Sequence, residues 1–181
     1  MNLEQAALGI AVPVQGRVMH NTQGGSTFQP YGVSANEVNY SISRTKLNAL
    51  LIDAAEKNGV EFIFEHEVVQ MDFSTMKDVY RSFTDRTKER TINAALFVGT
   101  DGVGSMTRQL MHKEIARIEG VVPIDDMERL GVSYKELTFP ALADGSYSMR
   151  SSGLHIWPRG PAFLMALADK GKHLHRHVVP P

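Results

Sequence analysis

Asp101-Gly102 lies between an apolar run at residues 96–98 and Ser105, and this order describes a strand that stops, turns and opens a helix. Read this way, Leu96, Phe97 and Val98 form a short buried strand, and Ser105 is the helix N-cap. The first-turn N–H groups would then face an anion such as a phosphate, and the other reading is an ordinary strand-to-helix connection. A second constellation is Arg17, set among apolar and small residues, with Tyr31 fourteen positions later. A guanidinium offers a rigid fork of donors that fits a carboxylate, and a tyrosine hydroxyl can add a third hydrogen bond. The same two residues can also form a surface arginine stacked on a ring. Arg44 sits where a helix opens, next to the positive end of its dipole, so an anionic partner is expected nearby. His155, Trp157 and Arg159 alternate with Ile156 and Pro158, which puts three polar or amphipathic groups on one strand face. They line either a substrate surface or a half-exposed edge. His173, His175 and His177 share one face of any extended strand, a spacing that can bind Zn²⁺ or Ni²⁺. The same stretch, 171–181, also reads as an aberrant or disordered tail such as a shifted reading frame would produce, because its pattern lacks the alternation of the strands before it.

Composition narrows the functions these groups can serve. The 181 residues are 43% hydrophobic and 22% charged, enough for one or two domains with a core. A net charge of −1 and a pI near 6.7 lack the electrostatic footprint of a nucleic-acid binder. Without cysteine there is no disulfide framework and no thiolate metal site, so chemistry must come from oxygen, nitrogen or a cofactor. No apolar run is long enough to span a membrane, and the first residues lack the order of a signal peptide, so a cytoplasmic chain is the expectation.

The elements that must position these groups follow from periodicity. Leu3, Ala6, Ala7 and Ile10 fall on one side of a helix at 2–10, which Val12-Pro13 ends. Residues 17–20 and 27–31 flank a Gly-Gly turn and read as a hairpin. Ser43 caps a helix whose stripe is Leu47, Leu50, Leu51, Ala54 and Ala55, with Asn58-Gly59 as its stop. Short strands are expected at 60–64, 67–72 and about 79–83, and a helix at 105–111 that gives way to a charged loop. Beyond it, runs at 132–139, 146–149, 154–157 and 162–168, separated by Pro, Gly and Ser, describe an antiparallel meander. Met149 and Met165 fit its core or an apolar pocket.

Five stretches taken together carry a family resemblance. They are Val-Pro-Val-Gln-Gly-Arg-Val-Met-His at 12–20, Gln-Pro-Tyr-Gly at 29–32, Tyr-Ser-Ile-Ser-Arg-Thr-Lys-Leu-Asn at 40–48, the Asp101-Gly102 turn, and Leu-His-Ile-Trp-Pro-Arg at 154–159. In this order the chain resembles, over residues 5–172, the kynurenine 3-monooxygenase family of flavin-dependent aromatic hydroxylases of the p-hydroxybenzoate hydroxylase type. The resemblance implies an α/β (mixed α+β) chain holding part of the FAD-dependent hydroxylase fold. Residues 1–121 would be a partial FAD-binding domain with a substrate hairpin at 12–32, and 122–170 an antiparallel substrate-domain sheet. It implies FAD as cofactor, NADPH as co-substrate, and O₂ and L-kynurenine as small-molecule partners, the product being 3-hydroxykynurenine. Arg17 and Tyr31 would hold the substrate carboxylate. Arg44, the backbone at Val68, and Asp101 with Gly102 would meet the cofactors; Arg108 closes that last signature. Core packing is the other reading of Val68. No side chain is assigned as catalytic acid or base. The chain has no Gly-x-Gly-x-x-Gly after a strand and no Gly-Asp-Ala-Ala-His stretch, so it reads as an internal piece of a longer enzyme, inactive alone. The rival readings are a catalytically silent β-rich binding module and a flavin hydroxylase for another aromatic acid.

Overall fold

The computed structural model describes residues 2–124, 128, 135–171 and 173–179, the side chains of 175–179 excepted. Its elements, in chain order, are α1 (Leu3–Ile10), β1 (Val12–Val14), β2 (Gly16–His20), β3 (Ser26–Pro30), β4 (Asn39–Ser41), α2 (Arg44–Lys57), β5 (His66–Asp72), β6 (Lys77–Ser82), β7 (Glu89–Asn93), α3 (Met106–Glu119), β8 (Lys135–Phe139), β9 (Gly153–Arg159), β10 (Ala162–Ala168) and β11 (Leu174–Val179). They divide into two compact units, 1–60 with 129–181 and 61–128. No helix among the described residues is long and apolar enough to cross a membrane.

The first unit is built on a six-stranded mixed sheet in the order β3-β2-β9-β10-β11-β8. The hairpin β2–β3 forms as its sequence predicts, but it does not stand alone: β2 runs parallel to β9, with Arg17 beside Leu154 and Val18 beside His155. That pairing joins the hairpin to the later strands. Gly16 makes the corner possible, since a Cβ there would run into the Gln29 carbonyl oxygen and lie 2.8 Å from the Pro30 Cα. On α2, Ser43 accepts from the Lys46 N–H, and Gly59 at φ +84° follows the Asn58 cap. α1 packs on α2. A short two-stranded ladder, β1 with β4, extends the backbone just past α1, where only a helix stop was expected.

Several expectations are corrected. Residues 146–149 are not a strand, because Asp144 Oδ1 accepts from both the N–H and the hydroxyl of Ser146 and folds the chain into a turn with Gly145 at φ +75°. The later strands are not a simple meander either, since β8 lies beside β11 rather than β9. The stretch read as an aberrant tail contains β11, paired on one edge with β10 and on the other with β8. Two flanking strands satisfy its backbone, which outweighs its weak side-chain pattern, and Leu174 is fully buried. Expected strand residues 132–134 lie outside the described residues.

The second unit is a three-stranded antiparallel sheet, β5-β6-β7, with α3 against β5. β7 escaped the sequence reading because Glu89–Asn93 is exposed along its whole length; its pairing with β6 is what makes it a strand. Residues 60–64 and 96–98 are not strands. Leu96 and Val98 are each 73% exposed, so the apolar run that promised burial pairs with no strand among the described residues. α3 continues to Glu119 instead of stopping at 111, carried by Met111, Ile115 and Ile118 at helical spacing and by the Glu114–Arg117 ion pair, and Gly120 at φ +67° ends it. Lys113, Glu114, Arg117 and Glu119, expected in a loop, belong to this helix, and Asp125-Asp126 of the same expected loop lie outside the described residues.

Because the obstruction at Gly16 is backbone, Gly16→Ala should destabilise the first unit by about 2 kcal/mol or more. Urea unfolding followed by circular dichroism measures this, and an unchanged midpoint would show that β2 can shift.

Candidate functional site

Strand alternation gives the six-stranded sheet two different faces. Val18, His155, Ala166, Ala168 and Leu174 share one face and are all less than 9% exposed. The register puts Arg17, Leu154, Ile156, Met165 and Leu167 on the other, where Arg17 is exposed and the apolar residues are half-buried. One face is closed core; the other is an open apolar floor with a cation at its edge. Tyr31 follows β3 on the Arg17 side, its N–H donating to the Gln15 carbonyl at 2.9 Å, and the guanidinium carbon of Arg17 lies 5.8 Å from the Tyr31 ring centre. The two residues paired from sequence are thus brought together. Met165 joins this floor.

The same register corrects a second expectation. His155 and Trp157 lie on the closed face, opposite Arg17, and so do not line the surface that Arg17 borders. Their partner is His20, which the sequence reading passed over. His20 stacks on Trp157 with ring centres 4.2 Å apart and planes 7° apart, and its Nε2 is 2.9 Å from His155 Nδ1. Burial, then His155 and Arg159, lower the His20 pKa from its ordinary value. The signal for it was alternation along β2, which puts His20 on the side of Val18. Arg159 at the strand end donates to the neighbouring Pro158 carbonyl.

Arg44 opens α2 as expected, and it is exposed at the rim of a cavity of about 230 Å³. Ser41, Ser43 and Thr45 line this cavity together with Glu136 and Asp169. Asp169 is 5% exposed; it accepts from the His173 N–H at 3.0 Å and lies 3.9 Å from the Lys46 ammonium. His173 thus meets a carboxylate, its Nδ1 3.6 Å from Asp169. The side chains of His175 and His177 lie outside the described residues, and among the described residues no group of three metal-ligating side chains converges.

In the second unit the Asp101-Gly102 turn has a definite electrostatic structure. Asp101 accepts from the Ser105 hydroxyl at 2.6 Å and from the Thr107 N–H at 3.0 Å, which lowers its pKa to about 2. Ser105 Oγ in turn accepts from the Arg108 N–H at 3.0 Å, confirming the N-cap. The N–H groups of Thr107 and Arg108 are therefore taken by the protein itself, which corrects the expectation that the first turn presents them to an anion. Gly102, at φ +76° with open space where a Cβ would stand, leaves the turn's backbone accessible. Arg108 folds back to the Val103 carbonyl at 3.1 Å. Val68 is half-buried in β5 at a bulge, where the register with β6 shifts between Val68 and Gln70.

The sequence matches the FAD binding domain family over residues 7–179. The chain belongs to that family. Among curated relatives, a kynurenine 3-monooxygenase of Myxococcus xanthus is 38% identical over 94% of this chain and 35% of the relative. One from Xanthomonas campestris is 35% identical over 93% of this chain and 35% of the relative. The chain thus spans about a third of the length of the curated relatives it matches. Among solved structures, a tetracycline destructase superposes with a TM-score of 0.62 at 16% identity, covering 98% of this chain and 41% of that one. This likeness supports the fold alone. The chain is therefore a mixed α/β part of an FAD-binding fold.

In this FAD-binding domain, the low pKa of Asp101 makes a pH signature. Its folded value lies below the unfolded one, so its stabilising effect is complete above about pH 4 and lost as pH falls through about 2. Asp101→Ala should lower the melting temperature at pH 7, and the gap to the unsubstituted chain should close toward pH 2 in a thermal-melt series.

Proposed function

We propose that this chain is the substrate-facing middle portion of an FAD-dependent monooxygenase that uses NADPH and O₂ to hydroxylate L-kynurenine to 3-hydroxykynurenine. The carrying observation is the open sheet face, where an apolar floor ends at Arg17 and Tyr31. An aromatic amino acid has the complementary shape: its ring would lie on Leu154, Ile156 and Met165, and its carboxylate would take the Arg17 fork with the Tyr31 hydroxyl as a further donor. The names of the curated relatives, kynurenine 3-monooxygenase, support that choice among aromatic acids.

The residues at the start of α2 fit a polar cofactor chain. Arg44 with the hydroxyls of Ser41, Ser43 and Thr45 supplies donors, while Glu136 and Asp169 supply acceptors. Carboxylates repel phosphate and accept from hydroxyls, so this cavity suits the ribityl part of FAD better than its pyrophosphate. Asp101, Gly102 and the backbone at Val68 would serve the nucleotide end, with Gly102 allowing close approach of a ligand to the turn. When bound, FAD supplies redox chemistry that no side chain here possesses. The protein's part is to orient the ring by Arg17 and Tyr31 and to keep water from the apolar floor. No acid or base is assigned.

Titrations of the 181-residue chain with FAD and with L-kynurenine test this reading. Loss of a charge-assisted pair predicts that Arg17→Ala weakens L-kynurenine binding by about tenfold or more, with FAD affinity changed less than about twofold. Equal losses of both would overturn the assignment of Arg17.

A further inference from the structure

The closed face holds a buried group that the proposed function leaves unused. His155 Nε2 lies 2.9 Å from the Arg150 carbonyl oxygen, and its Nδ1 lies 2.9 Å from His20 Nε2. A carbonyl only accepts, so His155 carries its hydrogen on Nε2, and Nδ1 of the neutral ring accepts the hydrogen of His20 Nε2. The tautomers of both rings are thereby set. Trp157 stacks on His20, and His155 is 3% exposed. Position matters as much as chemistry. The registered pairs between β2 and β9 run from Gly16 beside Gly153 to Met19 beside Ile156, and the bond from His20 ties β2 to β9 at the end of that ladder.

We propose that His20 and His155 are positioning residues: their hydrogen bond, held against Trp157, fixes β2 on β9 and so fixes Arg17 over Leu154 and Ile156 on the opposite side of the same two strands. The consequence for binding rests on the substrate reading above; the clamp itself does not. Four pairs make a short parallel ladder, and parallel pairing is slightly weaker per residue than antiparallel. A side-chain bond across its end limits the fraying that would move Arg17 off the floor.

The clamp is also sensitive to acid. Facing it are Arg159 on β9, Arg150 before β9 with its guanidinium carbon 3.9 Å from the Phe28 ring centre, Ser26 and Phe28 on β3, and Leu164 and Ala166 on β10. Cationic and apolar neighbours disfavour a proton. A first proton on His20 leaves its Nε2 donating to His155. A second sets two imidazolium N–H groups against each other and ends the bond.

Trp157 is the one tryptophan of the chain, so its emission reports on the stack. In the 181-residue chain, His20→Leu keeps bulk without a donor, whereas His20→Gln keeps a donor for His155 Nδ1. His20→Leu should weaken L-kynurenine binding about tenfold, the effect of losing roughly one hydrogen bond, and His20→Gln should restore it to within about threefold. FAD affinity should stay within about twofold in both. Acid should quench Trp157 emission in the unsubstituted chain with a midpoint below the ordinary histidine value, and both variants should lack that step. Amide exchange at Arg17, Val18 and Met19 should quicken in His20→Leu and recover in His20→Gln. Unchanged exchange in His20→Leu, no recovery in His20→Gln, or a quenching step that persists without His20 would each overturn the clamp. If the unsubstituted chain binds no L-kynurenine, the substrate reading fails while the exchange and emission results still decide the clamp. If His20→Leu does not fold, His20→Gln must keep native exchange and lose the quenching step for the clamp to stand.

Discussion

The parallel pairing of β2 with β9 is the constraint on which the first unit depends. It places a sequence-local hairpin beside strands more than a hundred residues later, and it decides which side chains share a face. A shift by one residue would carry Arg17 to the buried side and Val18 to the open one. Gly153 holds the ladder from one end, since its lack of a side chain leaves room for Val18 of β2, while Gly16 beside it lets Gln29 and Pro30 of β3 close over β2. The two histidines hold it from the other. Between these ends the sheet separates two tasks, with packing behind and an apolar surface bearing Arg17 in front.

How far the fold could be read from sequence depended on how local its causes were. α2 was legible because Ser43, the apolar stripe and Asn58-Gly59 are local signals that tertiary structure leaves intact. The hairpin was legible for the same reason. β7 and β11 were not, because Glu89–Asn93 is exposed throughout and β11 follows a break in alternation; each is a strand through its neighbours' hydrogen bonds. The opposite error occurred at 96–98, where three apolar residues implied a buried strand, yet Leu96 and Val98 are exposed and only Phe97 is half-buried. At the site, Arg17 and Tyr31 could be paired through the hairpin. His20 could not be joined to His155 and Trp157, because only the parallel register reveals that β2 and β9 are neighbours.

Two carboxyls in the second unit show how local hydrogen bonding governs charge. Asp101 is exposed, yet donors from Ser105 and Thr107 hold its charge in place at the start of α3. Asp78 on β6 is 6% exposed, and its Oδ1 has no hydrogen-bond partner among the described residues. Burial pushes its pKa up, with the Val79 N–H opposing. The first carboxylate stabilises its turn when ionised; the second favours the folded chain when protonated. Acid thus acts in opposite directions at two positions of one small unit.

The same reasoning explains why cation and histidines occupy opposite faces of one strand pair. A guanidinium keeps its charge at any physiological pH, and burying it unpaired costs more than β2 could recover by packing. On the open face it keeps its contact with solvent. Imidazole has a neutral form that both donates and accepts, so it can be buried if both nitrogens are satisfied. His155 meets that condition through Arg150 and His20, and His20 in turn stacks on Trp157. Each residue type therefore sits on the face whose solvation it tolerates, and rigidity on the closed face becomes directional placement of charge on the open one.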